Sequence, residues 1–404
     1  MSDIASAAGP ARTPPPLPST PPPAGEPAII SWSGNPWSLA GLGFINVLLT
    51  IITLGVYHFW AKTEVRRRLV TSIRVNSEPI EYTGTGMELF LGFLIIFAVI
   101  LLPVLVIVVG AHLLLGEAGT IVLLPVYGFF IYLWGVAVYR ARRYRRSRLR
   151  WRGIRGAMTG SSWGYGWGSL WSSLLIGMTW GWITPWRDNY LHRRLLNDTR
   201  FGDRPFLYSG QPGPMYGAYA LAWVGQLVAF FVILGIGAAV LYPFATPLID
   251  AVTKATGSEG SIDWKSPEFE GQWPLIAGLI AAGYGFLGLY AIAWSLIWNL
   301  FYAREYSYFV SETKLEGLRF GLKVSAWSMF WLFFSNTLMS ILTLTILSPV
   351  AEARVARYFV QRLSSTGSID FAGILQSQQK ISRTGEGLAE AFDVEASSYF
   401  ILSI

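Results

Sequence analysis

The stretch that decides the fold is Leu49-Thr-Ile-Ile-Thr-Leu-Gly-Val-Tyr-His-Phe-Trp-Ala-Lys-Thr-Glu-Val-Arg-Arg-Arg68, in which an apolar run gives way to a basic one. Thr53 and Gly55 lie between the two parts. Glycine interrupts a helical hydrogen-bond ladder, and a threonine hydroxyl can bond to the backbone groups that the interruption frees. The stretch therefore predicts an apolar helix, a break and a basic helix.

The same pattern occurs twice more along the chain. An ungapped offset of 126 carries Trp37 to Trp163, and a further offset of 164 carries it to Trp327. Such self-similarity predicts three internal repeats. The breaks could line a substrate path, because the ends of half-helices present free backbone groups, or they could serve packing alone. The predicted broken-helix positions are Thr53, Gly55, Trp60, Thr179, Gly181, Pro185, Trp186, Thr343 and Pro349.

The composition indicates that lipid is the solvent. The chain has 404 residues, of which 52% are hydrophobic and 14% charged, and its mean hydropathy is +0.43. A soluble domain of this size could not bury so much apolar surface. A transmembrane helix needs roughly 20 apolar residues. Seven stretches are long enough, at 38–60, 87–110, 120–139, 167–186, 216–245, 273–302 and 326–350.

The basic residues favour one topology over another. All 31 Lys and Arg lie outside the seven stretches. If all seven crossed the membrane, two basic connectors would be external and the acidic loop 246–272 internal, against the tendency of cytoplasmic loops to be basic. The conflict disappears if 87–110 pairs with 120–139, 216–245 pairs with 273–302, and the other three stretches re-enter or lie in the interface. Seven spans remain the alternative, and in the favoured arrangement the N-terminal tail is cytoplasmic.

Excess positive charge next to apolar segments indicates anionic lipid as the partner rather than nucleic acid. The formal net charge is +7. The arginines could contact lipid headgroups, anchor the topology, or bind a specific soluble ligand. The predicted headgroup contacts are Arg66, Arg67, Arg142, Arg143, Arg193, Arg194 and Arg357.

Short strand-like segments follow the basic helices, at Ile80–Gly84, Phe206–Gly210 and Ile369–Gly373, and one more precedes the first repeat at Ile29–Gly34. They predict a small cytoplasmic sheet. The predicted fold is thus an all-α integral membrane protein, a multi-span helical bundle with three internal repeats and short cytoplasmic β-strands. Its predicted segments are a disordered Pro-rich tail (1–28), repeat 1 (29–86), a transmembrane hairpin (87–139), a basic segment with repeat 2 (140–210), a second hairpin (211–302), repeat 3 (303–373) and a C-terminal tail (374–404).

A resemblance to a known family rests on linked motifs. The run Leu49–Trp60, the basic helix after it, and Tyr82-Thr-Gly-Thr-Gly-Met-Glu-Leu-Phe-Leu-Gly92 resemble the YjgN-type family of bacterial inner-membrane proteins, which carry a domain of unknown function. The likeness covers roughly residues 28–373. It implies an inner-membrane protein with no agreed substrate, activity or catalytic residues. The third copy departs from the pattern, since Val350 replaces the tryptophan and Tyr358 replaces an arginine.

No arrangement of residues points to catalysis. The chain has no cysteine, its three histidines are dispersed, and no nucleophile lies beside a base, so neither a metal site nor a cofactor is predicted. The expected function is that of a non-enzymatic protein that organises or senses the envelope by engaging lipid. The alternative is a transporter or channel whose path passes the three broken helices.

Overall fold

The computed structural model describes residues 25–255, 267 and 271–378. Residues 1–24 of the predicted disordered tail and most of the predicted C-terminal tail lie outside the described residues. The end of the first tail is ordered, since Glu26 forms a β-bridge with Ile369 and Ala28 is buried. The helices are α1 (Ala40–Ile52), α2 (His58–Thr71), α3 (Gly86–Ile96), α4 (Leu102–Leu115), α5 (Leu123–Arg148), α6 (Ser162–Met178), α7 (Thr184–Asn197), α8 (Gly213–Ala255), α9 (Trp273–Ser311), α10 (Ala326–Leu342) and α11 (Ser348–Val360).

Three helical stretches are long and apolar enough to cross a membrane, namely Gly86–Arg148, Gly213–Lys254 and Trp273–Ser311. This confirms the predicted class of helical membrane protein. The first stretch folds back on itself, because Glu88 near its start and Arg148 at its end form an ion pair of 2.7 Å. Its two arms are α3 with α4, joined by a π-helical turn, and α5.

The second long hairpin consists of α8 and α9. The indole Nε1 of Trp298 donates to Oε1 of Gln226 at 2.7 Å, and the rings of Tyr219 and Trp298 lie 5.5 Å apart. Polar side chains between membrane helices commonly bond in this way. The two long hairpins therefore occupy the segments in which the sequence predicts helix pairs.

The strands are more numerous than the sequence predicts. They are β1 (Ile30–Trp32), β2 (Ile73–Val75), β3 (Glu78–Pro79), β4 (Glu81–Tyr82), β5 (Leu149–Trp151), β6 (Ile154–Met158), β7 (Thr199–Phe201), β8 (Arg204–Tyr208), β9 (Thr313–Leu315), β10 (Leu318–Leu322) and β11 (Leu363–Thr366). The first three form one antiparallel sheet, and β4 to β11 form a second in which neighbours in sequence are neighbours in space. The description "all-α" is therefore corrected to a helical membrane protein with two sheets.

The two sheets join end to end into a ring. Only Ile80 separates β3 from β4, and its N–H donates to the carbonyl of Ile73 at 3.0 Å. At the other end, Glu26 and Ile369 exchange two backbone hydrogen bonds, of 2.9 and 3.1 Å, which link the start of the described chain to the segment after β11. We call these strands the strand ring. Closing a sheet in this way removes its exposed edges.

Apart from β1 and β11, the strands of the ring form β-hairpins, each of which follows a helix and precedes the next one. A two-residue turn joins most of the paired strands, as at Asn76 and Ser77, whose φ angles are 50° and 70°. Two of the four predicted strand segments contain β1 and β4, a third overlaps β8, and in the fourth Ile369 forms only an isolated bridge. The buried interior includes Ile73 and Leu318, which are 2% and 1% exposed.

Candidate lipid-facing site

The three predicted breaks have one common turn. Thr53, Thr179 and Thr343 each follow the last residue of the first helix, and the hydroxyl of each donates to the carbonyl four residues earlier, at 2.7, 2.7 and 2.8 Å. The same oxygens accept from the backbone N–H four residues later, at 2.9, 3.4 and 3.3 Å. The threonine hydroxyl thus provides an acceptor for the backbone N–H just before the next helix, while the carbonyl to which it donates also accepts from the N–H of the threonine itself at 3.0 Å.

Two residues with left-handed backbone follow each threonine. The φ angles are 48° and 92° in the first turn, 51° and 85° in the second, and 47° and 67° in the third. The second of these residues is Gly55, Gly181 and Thr345 respectively, and its N–H donates to the carbonyl five residues earlier at 2.7 to 2.8 Å. This is the bonding of a glycine-type helix C-terminus, which turns the chain out of the helix axis.

The second helix of each pair returns along the first. In α10 and α11, the hydroxyls of Ser328 and Tyr358 lie 2.5 Å apart, and Asn336 Nδ2 donates to the carbonyl of Ala351 at 3.2 Å. In α6 and α7, Arg194 donates to the carbonyl of Gly164 at 3.0 Å. We call α1–α2, α6–α7 and α10–α11 the short pairs. Their first helices have 13 to 17 residues, fewer than the roughly 20 that a span needs.

One apolar side chain projects from the turn of each short pair. Leu54, Trp180 and Leu344 are 94%, 85% and 81% exposed, and we call them the tip residues. Backbone carbonyls at the second turn have partners on α8, since Tyr219 Oη donates to the carbonyl of Gly181 at 2.5 Å. Polar backbone is therefore satisfied at this turn, while the side chain beside it is left open to the surroundings.

Tryptophan marks the first helix of each short pair. Trp163, Trp167 and Trp171 follow one another at single-turn spacing on α6, and each is about half exposed. Trp37 lies in the 3-10 turn Pro36–Leu39 just before α1, and Trp327 lies in the first turn of α10; they are 54% and 67% exposed. Indole rings favour the membrane interface, where one edge is wet and the other dry.

The remaining predicted break positions lie at the start of the returning helices. Trp60 packs against Phe90 of α3 with ring centroids 5.7 Å apart, and Trp186 stacks on Tyr190 at 5.3 Å. Prolines occupy the first turns of α7 and α11, where a missing N–H removes no helical bond, and both are buried. The buried prolines are Pro185 and Pro349.

The predicted headgroup arginines fall into two groups. Arg66 and Arg142 are only 4% and 8% exposed, so these two side chains lie inside the protein rather than on its surface. Arg67, Arg193, Arg194 and Arg357 are exposed, and Arg143 is half-buried. Arg145, Arg146 and Arg148 are also buried. The run from 140 to 152 is therefore more buried than it needs to be if its only role is to anchor the topology.

Three of these arginines hold the chain where it leaves the strand ring. Arg67, Arg143 and Arg193 each donate to the carbonyl of a glycine 17 residues later; the distances are 3.4 Å to Gly84 and 2.5 Å to Gly210, and the third acceptor is Gly160. Each glycine comes shortly before an apolar helix. The sequence analysis did not identify this role, although the repeated 17-residue spacing of Arg and Gly is visible in the sequence.

A charged cluster around the buried Glu305 was also not predicted from the sequence. Glu305 on α9 is 1% exposed and lies close enough to Arg187 and Asp188 of α7 to interact electrostatically. Arg187 Nη1 and Asp188 Oδ1 form an ion pair of 3.0 Å. The predicted stretch ended at residue 302, whereas α9 continues to Ser311, so the carboxylate was assigned to a connector. Within the described part of the chain, no group of three acidic or histidine side chains could hold a metal ion.

These features define the chain as a multi-pass helical membrane protein with broken helix pairs. Residues 28–391 match the family described as "Bacterial protein of unknown function (DUF898)", and the chain belongs to that family. It resembles the inner membrane protein YjgN of Salmonella typhimurium, with 42% identity over 55 residues, and that of Escherichia coli (strain K12), with 44% over 50 residues.

The first of these matches covers 14% of this chain and 14% of the relative, and the second covers 12% and 13%. The chain thus spans about one seventh of the length of these curated relatives. No solved structure matches the chain significantly. The family and the long apolar helices together confirm the resemblance noted in the sequence and an inner-membrane location.

Proposed function

We propose that the protein is a non-enzymatic component of the inner membrane that engages lipid and thereby organises or senses the envelope. The observation that carries the proposal is the exposure of the three tip residues, Leu54, Trp180 and Leu344. A large apolar side chain that protrudes this far is unfavourable in water, by roughly 1.5–3 kcal/mol for a leucine. Inserted in hydrocarbon, each tip contributes that energy to membrane binding instead.

The arrangement of the short pairs supports a re-entrant topology. Their first helices carry tryptophan at the start and an apolar tip at the end, which suits an entry at the interface and a turn within the hydrocarbon. Their second helices return to the strand ring with basic residues on the outside. In this proposal the strand ring and the N-terminal tail are cytoplasmic, and the short pairs descend from three internal repeats.

Exposed arginines supply the headgroup contacts. Arg194 and Arg357 lie on the surfaces of α7 and α11, close to where those helices reach the strand ring. A basic residue near an anionic membrane surface contributes about 1 kcal/mol. Anionic lipid is thus the proposed partner, and no nucleic acid is involved. The buried Arg66 and Arg142 have no place in this contact.

A transporter or channel is the second candidate, and the cluster of the half-buried Arg187 and Asp188 with the buried Glu305 favours it. Ionisable groups within membrane helices commonly mark ion or proton paths. Against it, the tip residues project outward, whereas a path through the three breaks needs them to converge. If the protein is a transporter or channel, vesicles that contain it should pass protons under an imposed potential, and Glu305→Gln should abolish the flux. A flux no greater than that of empty vesicles rejects this candidate.

Spin-labelled lipids test the lipid-engaging function. The protein is reconstituted in phosphatidylcholine vesicles, and the immobilised fraction of labelled phosphatidylglycerol is compared with that of labelled phosphatidylcholine. We expect a preference for phosphatidylglycerol that falls by roughly fivefold for each arginine removed in Arg194→Gln and Arg357→Gln.

Arg152→Gln is the matched control, because Arg152 lies in the turn between β5 and β6 and pairs with Glu26 and Glu78. Its loss should leave the preference unchanged. Equal immobilisation of both lipids by the wild-type protein, or an equal effect of Arg152→Gln, contradicts the proposal.

A further inference from the structure

The strand ring encloses a cavity that the lipid-facing site does not use. Its volume is roughly 260 Å³, and side chains of nearly every strand, together with the ends of α5, α7, α9 and α11, form its wall. The wall is almost entirely apolar, with contributions such as Ile30, Phe206 and Leu318. An apolar cavity of this kind stays dry and takes up apolar molecules.

Four polar side chains line the cavity among the described residues. The hydroxyls of Thr199 and Thr313 donate to carbonyls one turn earlier in the chain, each at 2.7 Å. The other two are Arg146 and His192. Polar groups that reach into an otherwise apolar pocket commonly fix the orientation of a ligand.

His192 directs an unused nitrogen at this region. Its Nε2 atom is inaccessible to water and has no hydrogen-bond partner in the described part of the chain. The ring is held in place by stacking on Phe309, with centroids 4.2 Å apart, and by the edge of Tyr208 at 4.9 Å. A buried polar atom without a partner is unfavourable by roughly 1–3 kcal/mol, which a ligand atom would recover.

Arg146 brings positive charge to the same end of the cavity. It is 4% exposed, and it lies close enough to His192 to interact electrostatically. Arg142 and Arg145 of the same helix also lie within electrostatic range of Arg146. An anion at this end would gain from the guanidinium groups, because charge–charge attraction is strong where water is excluded.

The C-terminal part of the described chain packs against the strand ring beside the cavity. Phe371 packs on Trp151 with ring centroids 4.7 Å apart, and Leu375 N–H donates to Asp203 Oδ1 at 3.1 Å. Gln376 Nε2 donates to the carbonyl of Gly153 at 2.9 Å. Residues 369–376 thus run from one side of the strand ring to the hairpin turns on the other, and Phe371 forms part of the cavity wall.

We infer that the strand ring binds a single-chain carboxylic acid of medium length, with its alkyl chain in the apolar cavity and its carboxylate at Arg146 and His192. The volume lies just below the roughly 300–1,000 Å³ of drug-sized ligand sites, so it suits one chain and not a two-chain phospholipid. Residues 369–376 move aside when the ligand exchanges.

Equilibrium dialysis tests this binding on the full chain in nanodiscs. At pH 7.5, labelled decanoate should bind saturably, at about one molecule per protein after subtraction of empty nanodiscs. 1-Decanol should bind roughly tenfold to a hundredfold more weakly, because it lacks the charge that Arg146 would meet. This comparison uses the wild-type protein and depends on no substitution. Equal affinity for the two probes, or no saturable binding, overturns the inference.

Two adjacent isoleucines give a matched pair of variants. Ile30 lines the cavity, whereas Ile29 is 64% exposed on the other face of the strand. Ile30→Trp should fill the cavity and weaken decanoate binding at least roughly tenfold, while Ile29→Trp should leave it unchanged. Arg146→Gln should remove the preference for decanoate over decanol. An unchanged affinity in a folded Ile30→Trp protein, or an unchanged preference in Arg146→Gln, contradicts the site.

Discussion

The short pairs and the long hairpins start from the strand ring in the same way but differ in how far they continue. Thr85 caps α3 of the first long hairpin, just as Ser161 and Ser325 cap α6 and α10 of two short pairs, each by accepting from the N–H three residues later. The helices of the short pairs then end at a threonine. In the proposed re-entrant topology, hydropathy selects which segments enter lipid, and local turn chemistry selects which of them cross it.

The ends of the first long hairpin are held by Glu88. Its carboxylate accepts from Arg148 at 2.7 Å and from the hydroxyl of Tyr144 at 2.5 Å, and the Arg148 side chain is only 10% exposed. We expect Glu88→Ala to lower the free energy of unfolding by about 3 kcal/mol, because it leaves a largely buried guanidinium unpaired. Denaturant unfolding in detergent measures the change. Glu81→Ala, at an exposed carboxylate, is the control, and an equal loss there would contradict the account.

The short pair α6–α7 should respond to pH through His192. Burial, with a smaller effect from Arg142 and Arg146, lowers the pKa of His192 from 6.5 to about 3. The folded state therefore binds fewer protons than the unfolded state between these values. We expect stability to be complete above about pH 6.5 and to fall by about 1.4 kcal/mol per unit as the pH decreases towards 3.

His192→Phe tests that expectation, since it keeps the ring stacked on Phe309 but cannot take up a proton. Unfolding of both proteins between pH 7.5 and 4.5 should give a shallower loss of stability for the variant, by about 2.7 kcal/mol at pH 4.5. His112→Phe, at an exposed position on α4, should retain the wild-type slope. Parallel curves for wild type and His192→Phe would show that this histidine is not the group involved.

The turn itself can be broken at Gly181. Its φ of 85° is unfavourable for any side chain, and a Cβ there would lie 3.2 Å from the hydroxyl of Tyr219. We expect Gly181→Val to lower the free energy of unfolding by roughly 2 kcal/mol. Gly177→Val is the control, because Gly177 is in α6 with open space around it. If thermal melting shifts equally for both, the left-handed turn does not determine the end of the helix.

The smallest expected effect sharpens the comparison among the turns. Thr345 adopts φ of 67°, where the other two turns have glycine. Thr345→Gly relieves this strain, but glycine also gives the unfolded chain more conformational freedom. The net result should be a gain of roughly 0.5 kcal/mol in the free energy of unfolding. The reverse change, Gly55→Thr, should destabilise by roughly 1 kcal/mol. A loss of melting temperature in Thr345→Gly would contradict this interpretation.

The sequence predicted the features that depend on local chemistry. Apolar length located the helices, and the spacing of Thr53, Gly55 and their counterparts located the breaks, because a helix ends where its own backbone groups find other partners. The predicted domain boundaries and lipid contacts stay predictions. The glycines that accept hydrogen bonds from Arg67, Arg143 and Arg193 could have been predicted, because each lies 17 residues after its arginine.

The number of strands and their closure into the strand ring could not be predicted from the sequence, for a physical reason. Its strands have two to five residues, too few for a clear alternation of apolar and polar side chains, and their pairing depends on the helices that hold them side by side. The inward direction of Arg142 and Arg146 depends on the same packing. Short turns such as Arg152-Gly153, where both residues have positive φ, were the one local signal of these hairpins.

Single cysteines in this cysteine-free chain test most directly whether a short pair, α6–α7, returns to the side from which it started. Thr120→Cys, in the exposed turn between α4 and α5, and Ser209→Cys, exposed after β8, are treated in intact cells with a membrane-impermeant thiol reagent. The account predicts that Thr120→Cys reacts in intact cells and that Ser209→Cys reacts only in inside-out vesicles. Reaction of Ser209→Cys in intact cells would mean that α6–α7 crosses the membrane.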